Sequence, residues 1–257
     1  MSFRISTLSP SSILYLFLLM ILFTSCSHTV SSNAVLHTST FQTAETLNEG
    51  KFAFQGGYAS ELNYLAKTEL DYGAVDTFII SSEFPTQSYI FSGAIQYGFT
   101  ERLDFMVDVF TSFTENQRAP GVKLLMKYQL STDDSRVTYA AMPVIGLSIG
   151  SWERAEYIDD DWVEIESDLS DIEFHMLMSY RHSYDAIVTI GSWATMLKHN
   201  TYSSGKMSSI SWNENIKDLH VFPGISLGLH YERTMYEINI ARIDNNLYTT
   251  FGLAARF

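Results

Sequence analysis

From Lys51 onward the apolar residues recur at every second position, and this period constrains the chain more than any other feature. In "YIFSGAIQYGF" the residues Tyr89, Phe91, Ile95, Tyr97 and Phe99 fall on one side, and Ser92, Ala94, Gln96 and Gly98 on the other. "LDFMVDVF" sets Leu103, Phe105, Val107 and Val109 against Asp104, Met106, Asp108 and Phe110. "VKLLMKYQL" sets Leu124, Met126, Tyr128 and Leu130 against Lys123, Leu125, Lys127 and Gln129. Six further runs and the opening "FAFQGGY" bring the expected count to about ten strands. Twelve remain open if residues 59–87 hide another hairpin in "YLAKTEL" and "DTFII". No apolar run after the N-terminus reaches the roughly 20 residues of a spanning helix. A membrane-spanning form of this chain therefore uses strands.

Alternation alone also suits a soluble barrel, so the chemistry of the second side decides. A water-facing wall needs Lys and Glu. Here the less apolar side is mostly Gly, Ser, Ala and Thr, and charged residues make up only 18% of the chain. That suits a crowded interior, with the consistently apolar side turned to lipid. Aromatics are 14%, rich in Tyr, a residue of membrane interfaces. The net charge of -13 argues against a nucleic-acid partner, because phosphate binding needs Lys and Arg. The expected fold is all-β: a closed antiparallel up-and-down transmembrane β-barrel with alternating short turns and long loops. Pro143 and Pro223 fall inside strands, where a closed ring has no free edge, and predict bulges or ladder breaks.

The first residues form an address. Arg4 precedes the apolar stretch Ile13 to Phe23, then Thr24, Ser25 and Cys26, the single cysteine. This reads as a secretory signal over residues 1–25, too short for an anchor helix. Residues 26–50 are polar, rich in Ser and Thr, and read as a tether; residues 51–257 are the barrel.

"LFTSC" resembles a bacterial lipoprotein signal, and "TTFGLAARF" alternates to a terminal Phe257. Together they make the chain resemble lipid-anchored outer-membrane β-barrel proteins of Gram-negative bacteria. The resemblance implies acyl chains on Cys26, outer-membrane sorting at Ser27 through the lipoprotein sorting machinery, and Phe257 as a signal to the barrel-assembly machinery. It also implies contact with outer-membrane lipid and lipopolysaccharide. The tight turns at Thr100–Arg102, His182–Ser183 and Arg233–Thr234 are then periplasmic. Ten strands would place both chain ends on that side.

Inward positions collect charge. Asp104, Asp108, Lys123 and Lys127 are expected as cross-strand partners; Arg181 and Asp185 flank a tight turn; Glu232, Glu237 and Arg256 lie on the last three strands, with Arg256 placed to meet Glu232 or Glu237. They read either as a salt-bridge plug in a narrow barrel or as a solute path. His175, His220 and His230 with Glu173 lack the local spacing of a metal site, so no metal or cofactor is expected. The acidic stretch 151–171 reads as a solvated loop, with a bridging divalent cation as the sharper alternative. His199, Ser203, Ser204 and Asp218 are the residues an enzyme would use, without a motif to orient them. The leading expectation is a narrow or plugged barrel acting in envelope structure or surface contact through its loops. A small-solute channel and a lipid-modifying or proteolytic enzyme are the rivals.

Overall fold

The computed structural model describes residues 26–257 except 73–76, 113–118, 132–135, 158–160, 184 and 208–209; the signal at 1–25, Asp159 and Asp160 thus lie outside the described residues. Its eleven strands are β1 (Cys26–Leu36), β2 (Phe52–Tyr72), β3 (Thr77–Thr100), β4 (Leu103–Ser112), β5 (Pro120–Gln129), β6 (Val137–Glu156), β7 (Trp162–Arg181), β8 (Ala186–Met207), β9 (Ile210–Tyr231), β10 (Thr234–Ile243) and β11 (Asn246–Arg256).

Strands β2 to β11 pair antiparallel in sequence order, and β11 returns to β2 through Phe251↔Ser60 to Arg256↔Gln55. These ten strands close the expected ring and leave no edge at its lower end. Alternation holds along the wall. Phe52, Phe54, Phe91, Ile95, Phe105, Val107, Leu124, Phe174, Ile190, Leu227, Ile238 and Phe251 are all exposed on the outside, while Asp104, Asp108, Lys123, Lys127, Glu173 and Glu237 are buried inside. A continuous outward apolar belt over a charged interior is an inside-out arrangement for water and the required one for lipid.

Strand lengths divide the barrel into two storeys. β4, β5 and β10 have 10 residues and β11 has 11. At about 3.3 Å per residue and about 45° of tilt, this is roughly the 25 Å of an apolar band. β2, β3 and β6 to β9 have 20–24 residues, about twice the need. Where long loops were expected, the stretches 59–87, 151–171 and 197–218 are mostly continuations of these strands. The acidic stretch is therefore a wall segment. Arg154 pairs across the strands with Glu164 and Trp152 with Glu166, while Asp171 turns inward.

The upper storey is built around β1. It pairs with the upper half of β2, from Cys26↔Tyr72 to Leu36↔Leu62, where β11 no longer reaches. A dry core joins this unit to the facing wall. It contains Val30, Ala34, Leu36, Leu62, Tyr64 and Leu70 from β1 and β2, and Val163, Ile165, Leu169, Leu197, Met207, Trp212 and Phe222 from β7 to β9. Phe78 of β3 stacks on Trp212 at 4.5 Å and Phe84 meets Phe222, closing the side where the β10–β11 hairpin is short.

That short hairpin also explains Pro223. β9 pairs with β10 only as far as Gly224, so Pro223 stands on an exposed edge without needing a bulge. At Pro143 the β5–β6 ladder is interrupted between Leu125↔Val144 and Tyr128↔Ala141 without a register shift.

Candidate functional site

The lumen is filled by the chain's own N-terminal segment. Residues 37–50, expected as a tether, run down inside the ring and leave it where Gly50 N–H donates to the Gly98 carbonyl at 2.8 Å. A non-strand backbone in a closed interior needs partners for its amides. The wall supplies them as side chains from many strands. Glu61 of β2 accepts Thr38 N–H at 2.8 Å and Ser39 N–H at 3.0 Å. Glu237 of β10 accepts the amides of Thr40 and Phe41. Ser179 of β7 accepts Ala44 N–H at 2.8 Å, Gln129 of β5 accepts Thr46 N–H at 3.0 Å, and Asp104 of β4 accepts Leu47 N–H at 3.0 Å. Side-chain acceptors thus replace a missing neighbouring strand, and the bonds to the carboxylates among them are about twice as strong as neutral ones.

His37 marks the level where β1 ends and this descent begins. Its Nδ1 lies 3.0 Å from Glu61 Oε1 and its Nε2 lies 3.0 Å from Asp108 Oδ2, and all three side chains are buried. With both carboxylates ionised they only accept, so both ring nitrogens then donate and the ring is an imidazolium. Phe41 is the other anchor. Its φ of 50° lies in the left-handed region that costs an ordinary residue about 1–3 kcal/mol. The Glu237 carboxylate holds its amide, and its ring sits against Gly57, where a Cβ would be crowded, and Gly252, where a Cβ would collide with it. Ala59 and Ala254 complete the seat.

The charged positions read from the sequence are largely inside but choose different partners. Asp104 meets Lys127 at 3.4 Å, as expected, and also accepts Gln96 Nε2 at 2.6 Å. Lys127 further donates to Gln42 and to the Glu45 carbonyl of the inserted segment. Asp108 and Lys123 stand opposite each other in register, yet Asp108 turns to His37. Lys123 instead donates to Glu173 at 2.7 Å, with Asp171 at 3.9 Å. It reaches across β6 because Gly146 lies between Lys123 and Asp171; a Cβ there would collide with the aspartate. Glu173 also accepts from His175 Nε2 at 2.7 Å.

Several pairings must be corrected. Arg181 pairs with Glu45 of the inserted segment. Asp185 and Glu232 are exposed on the short-turn rim, where they line a 460 Å³ cavity with Arg181, His230 and Arg256. Arg256 donates to Gln96 at 3.4 Å instead of meeting Glu232 or Glu237, because Glu237 is occupied by the inserted backbone and Asn239. Cys26 pairs with Tyr72 at the end of the long strands, whereas Phe257 N–H bonds the Phe54 carbonyl at the short-turn end. The two chain positions expected on the same side lie at opposite ends of the barrel.

The histidines lie apart: His175 on Trp193, His220 by Phe84, and His230 at the lower mouth. Among the described residues no group of three metal-ligating side chains forms. His199 stacks on Tyr64 and bonds Thr201 at 2.9 Å, and Tyr64 O–H donates to Asp218 at 2.9 Å. Ser203 bonds Thr68 at 2.8 Å and accepts Trp212 Nε1–H at 3.1 Å. Asp218 stands opposite His199 in register, Ser203 is engaged by Thr68 and Trp212, and Ser204 lies on the opposite face of β8 by strand alternation.

The residues that sequence reasoning missed are those of 30–47. A signal was present. From Ser27 to Ala44 there is no Lys, Arg, Asp, Glu, Gly or Pro, and Val30, Val35, Leu36 and Phe41 are apolar. A solvated linker normally carries the charges and breakers this stretch lacks.

Fold and interior define a self-plugged antiparallel β-barrel that crosses a membrane with its strands. Among solved structures the chain is similar to the outer-membrane protease OmpT from Escherichia coli, at 8% identity and a TM-score of 0.46, covering 91% of this chain and 97% of that one. It is also similar to the β domain of the Bordetella autotransporter BrkA, at 9% identity and a TM-score of 0.42, covering 91% and 98%. No family model and no curated protein matches the sequence.

Proposed function

We propose that the protein is an outer-membrane β-barrel whose lumen is permanently filled and which acts in envelope structure or surface contact through its upper storey. The observation that carries this is the seat of residues 37–47. Seven backbone amides of this short stretch are held by wall side chains, and His37 bridges two buried carboxylates. Above them the apolar core from Val30 to Phe222 closes the outer end against water and ions. The upper strands then form a folded platform, with Glu69, Asp71, Glu83, Glu156 and Glu214 among its exposed residues. In this reading Cys26 carries acyl chains, Phe257 is read by the barrel-assembly machinery, and lipid and lipopolysaccharide surround the belt.

Planar-bilayer recording tests it. The purified wild-type protein is expected to give no steady conductance, and a variant lacking residues 28–47 to give discrete openings. Steady conductance of the wild type would favour a small-solute channel and sink the plugged reading.

A further inference from the structure

We infer that the N-terminal segment threads the whole barrel, so that residues 26–29 stand on the outer face of the cell while Phe257 stands in the periplasm. The inference rests on the outer-membrane reading above, in which short turns face the periplasm.

The path is set residue by residue. The chain enters the ring at the long-strand end, where Cys26 pairs with Tyr72 and Val30 with Thr68. On its other edge β1 is tied to β6. Ser31 N–H donates to Glu153 at 3.1 Å, Asn33 N–H to Ser151 Oγ at 2.9 Å and Val35 N–H to Ser148 Oγ at 3.1 Å. Gly150 has no side chain at this crossing; a Cβ there would meet the Ser167 carbonyl and approach that of Asn33. The segment then passes the His37 bridge, the Phe41 seat and the Asp104 contact before leaving at Gly98. β1 is thus an inner strand with a partner on each side, and its register leaves no slack.

Reach makes the consequence quantitative. Phe52 to Tyr72 spans 21 residues. At about 3.3 Å each and about 45° of tilt, residue 72 stands more than 40 Å from the short-turn rim, well beyond the roughly 25 Å apolar band. Cys26 is at that level and is itself the first residue of β1. An acyl group on it therefore lies beyond reach of the inner leaflet while the segment is seated. The lipid anchor belongs to the outer surface, not to a periplasmic tether.

Thiol accessibility in intact cells tests this, using a maleimide-polyethylene glycol too large for porins. Thr29→Cys, on an exposed position of β1, is expected to label in intact cells, as is Glu214→Cys near the β8–β9 tip. Glu232→Cys, on a short turn, is expected to label only after the outer membrane is permeabilised. The wild-type chain run alongside gives the contribution of Cys26. Thr29→Cys behaving like Glu232→Cys, with Glu214→Cys labelled, overturns the threading. Glu214→Cys silent in intact cells overturns the orientation beneath it. Threading is also read without orientation: Ser39→Cys with Asn239→Cys, whose native side chains touch at 3.3 Å, is expected to form a disulfide in the assembled barrel. An unoxidised pair counts against a seated segment. Radiolabelled palmitate separates the acyl reading, since its absence removes the lipid and leaves the path of the chain unaffected.

Discussion

His37 Nε2 lies 3.0 Å from Asp108 Oδ2, and this contact joins the N-terminal segment to the wall at mid-barrel. Together with the Glu61 contact it makes a buried carboxylate–imidazolium–carboxylate bridge whose members sit on three separate parts of the chain. Removing the central cation leaves two buried carboxylates facing each other. His37→Ala is expected to cost about 3–5 kcal/mol, the usual penalty of an uncompensated buried charge. Urea unfolding in detergent reads this as a lowered midpoint. A variant within 1 kcal/mol of wild type would mean that the bridge does not hold the segment.

Two glycine positions separate the plug from the lipid face. Gly252 packs against the Phe41 ring, whereas a Cβ at Gly93 meets nothing within 4 Å. Gly252→Ala is expected to destabilise by about 1–3 kcal/mol through overpacking, and Gly93→Ala to change little. The former should also raise protease cleavage within residues 37–47. Equal behaviour of the two would refute the proposed seat of Phe41.

Lys123 is only 1% exposed and serves Glu173 and Asp171 together. Lys123→Met is expected to cost about 3–5 kcal/mol by stranding those carboxylates. Adding Glu173→Gln should recover part of the loss, because one stranded charge is removed. A double-mutant cycle measures this coupling, and strictly additive effects would show that the pair acts independently.

The upper storey should loosen separately from the belt. Leu36 and Leu70 are fully buried in the outer core, away from lipid. Leu70→Ala is expected to cost about 2–5 kcal/mol locally and to raise proteolysis of the β2–β3 and β8–β9 extensions. The membrane ring should keep its resistance to unfolding by sodium dodecyl sulfate. Loss of ring and extension together would show that the two storeys form one cooperative unit.

The barrel was legible because period two is a local property. Phe91, Ile95 and Phe105 announce an outward face by their spacing alone, and Asp104, Asp108, Lys123 and Lys127 announce an inward one. Their partners were less legible. Register places Asp108 opposite Lys123, yet a third chain segment with a cation of its own, His37, competes for the aspartate. Arg256 was likewise expected to meet Glu237, which instead accepts the amides of Thr40 and Phe41. Loop lengths also misled, because polar residues on alternating strands above a membrane look like loop composition: the run from Glu164 to Asp168 is half water-facing wall and half buried core.

By itself the sequence determined the all-β class, a closed ring of about ten strands, the faces of the membrane-belt residues and the crowding of the interior, since each follows from alternation and side-chain size. Only the tertiary structure decided what fills that interior. Residues 26–50 have no repeat of their own, and although the lack of charges and breakers in 27–44 sets them apart from a solvated linker, it does not say where they lodge. That depends on whether distant wall side chains can satisfy their amides. Glu61, Glu237, Ser179, Gln129 and Asp104 come from five different strands and reach common targets only once the ring has closed.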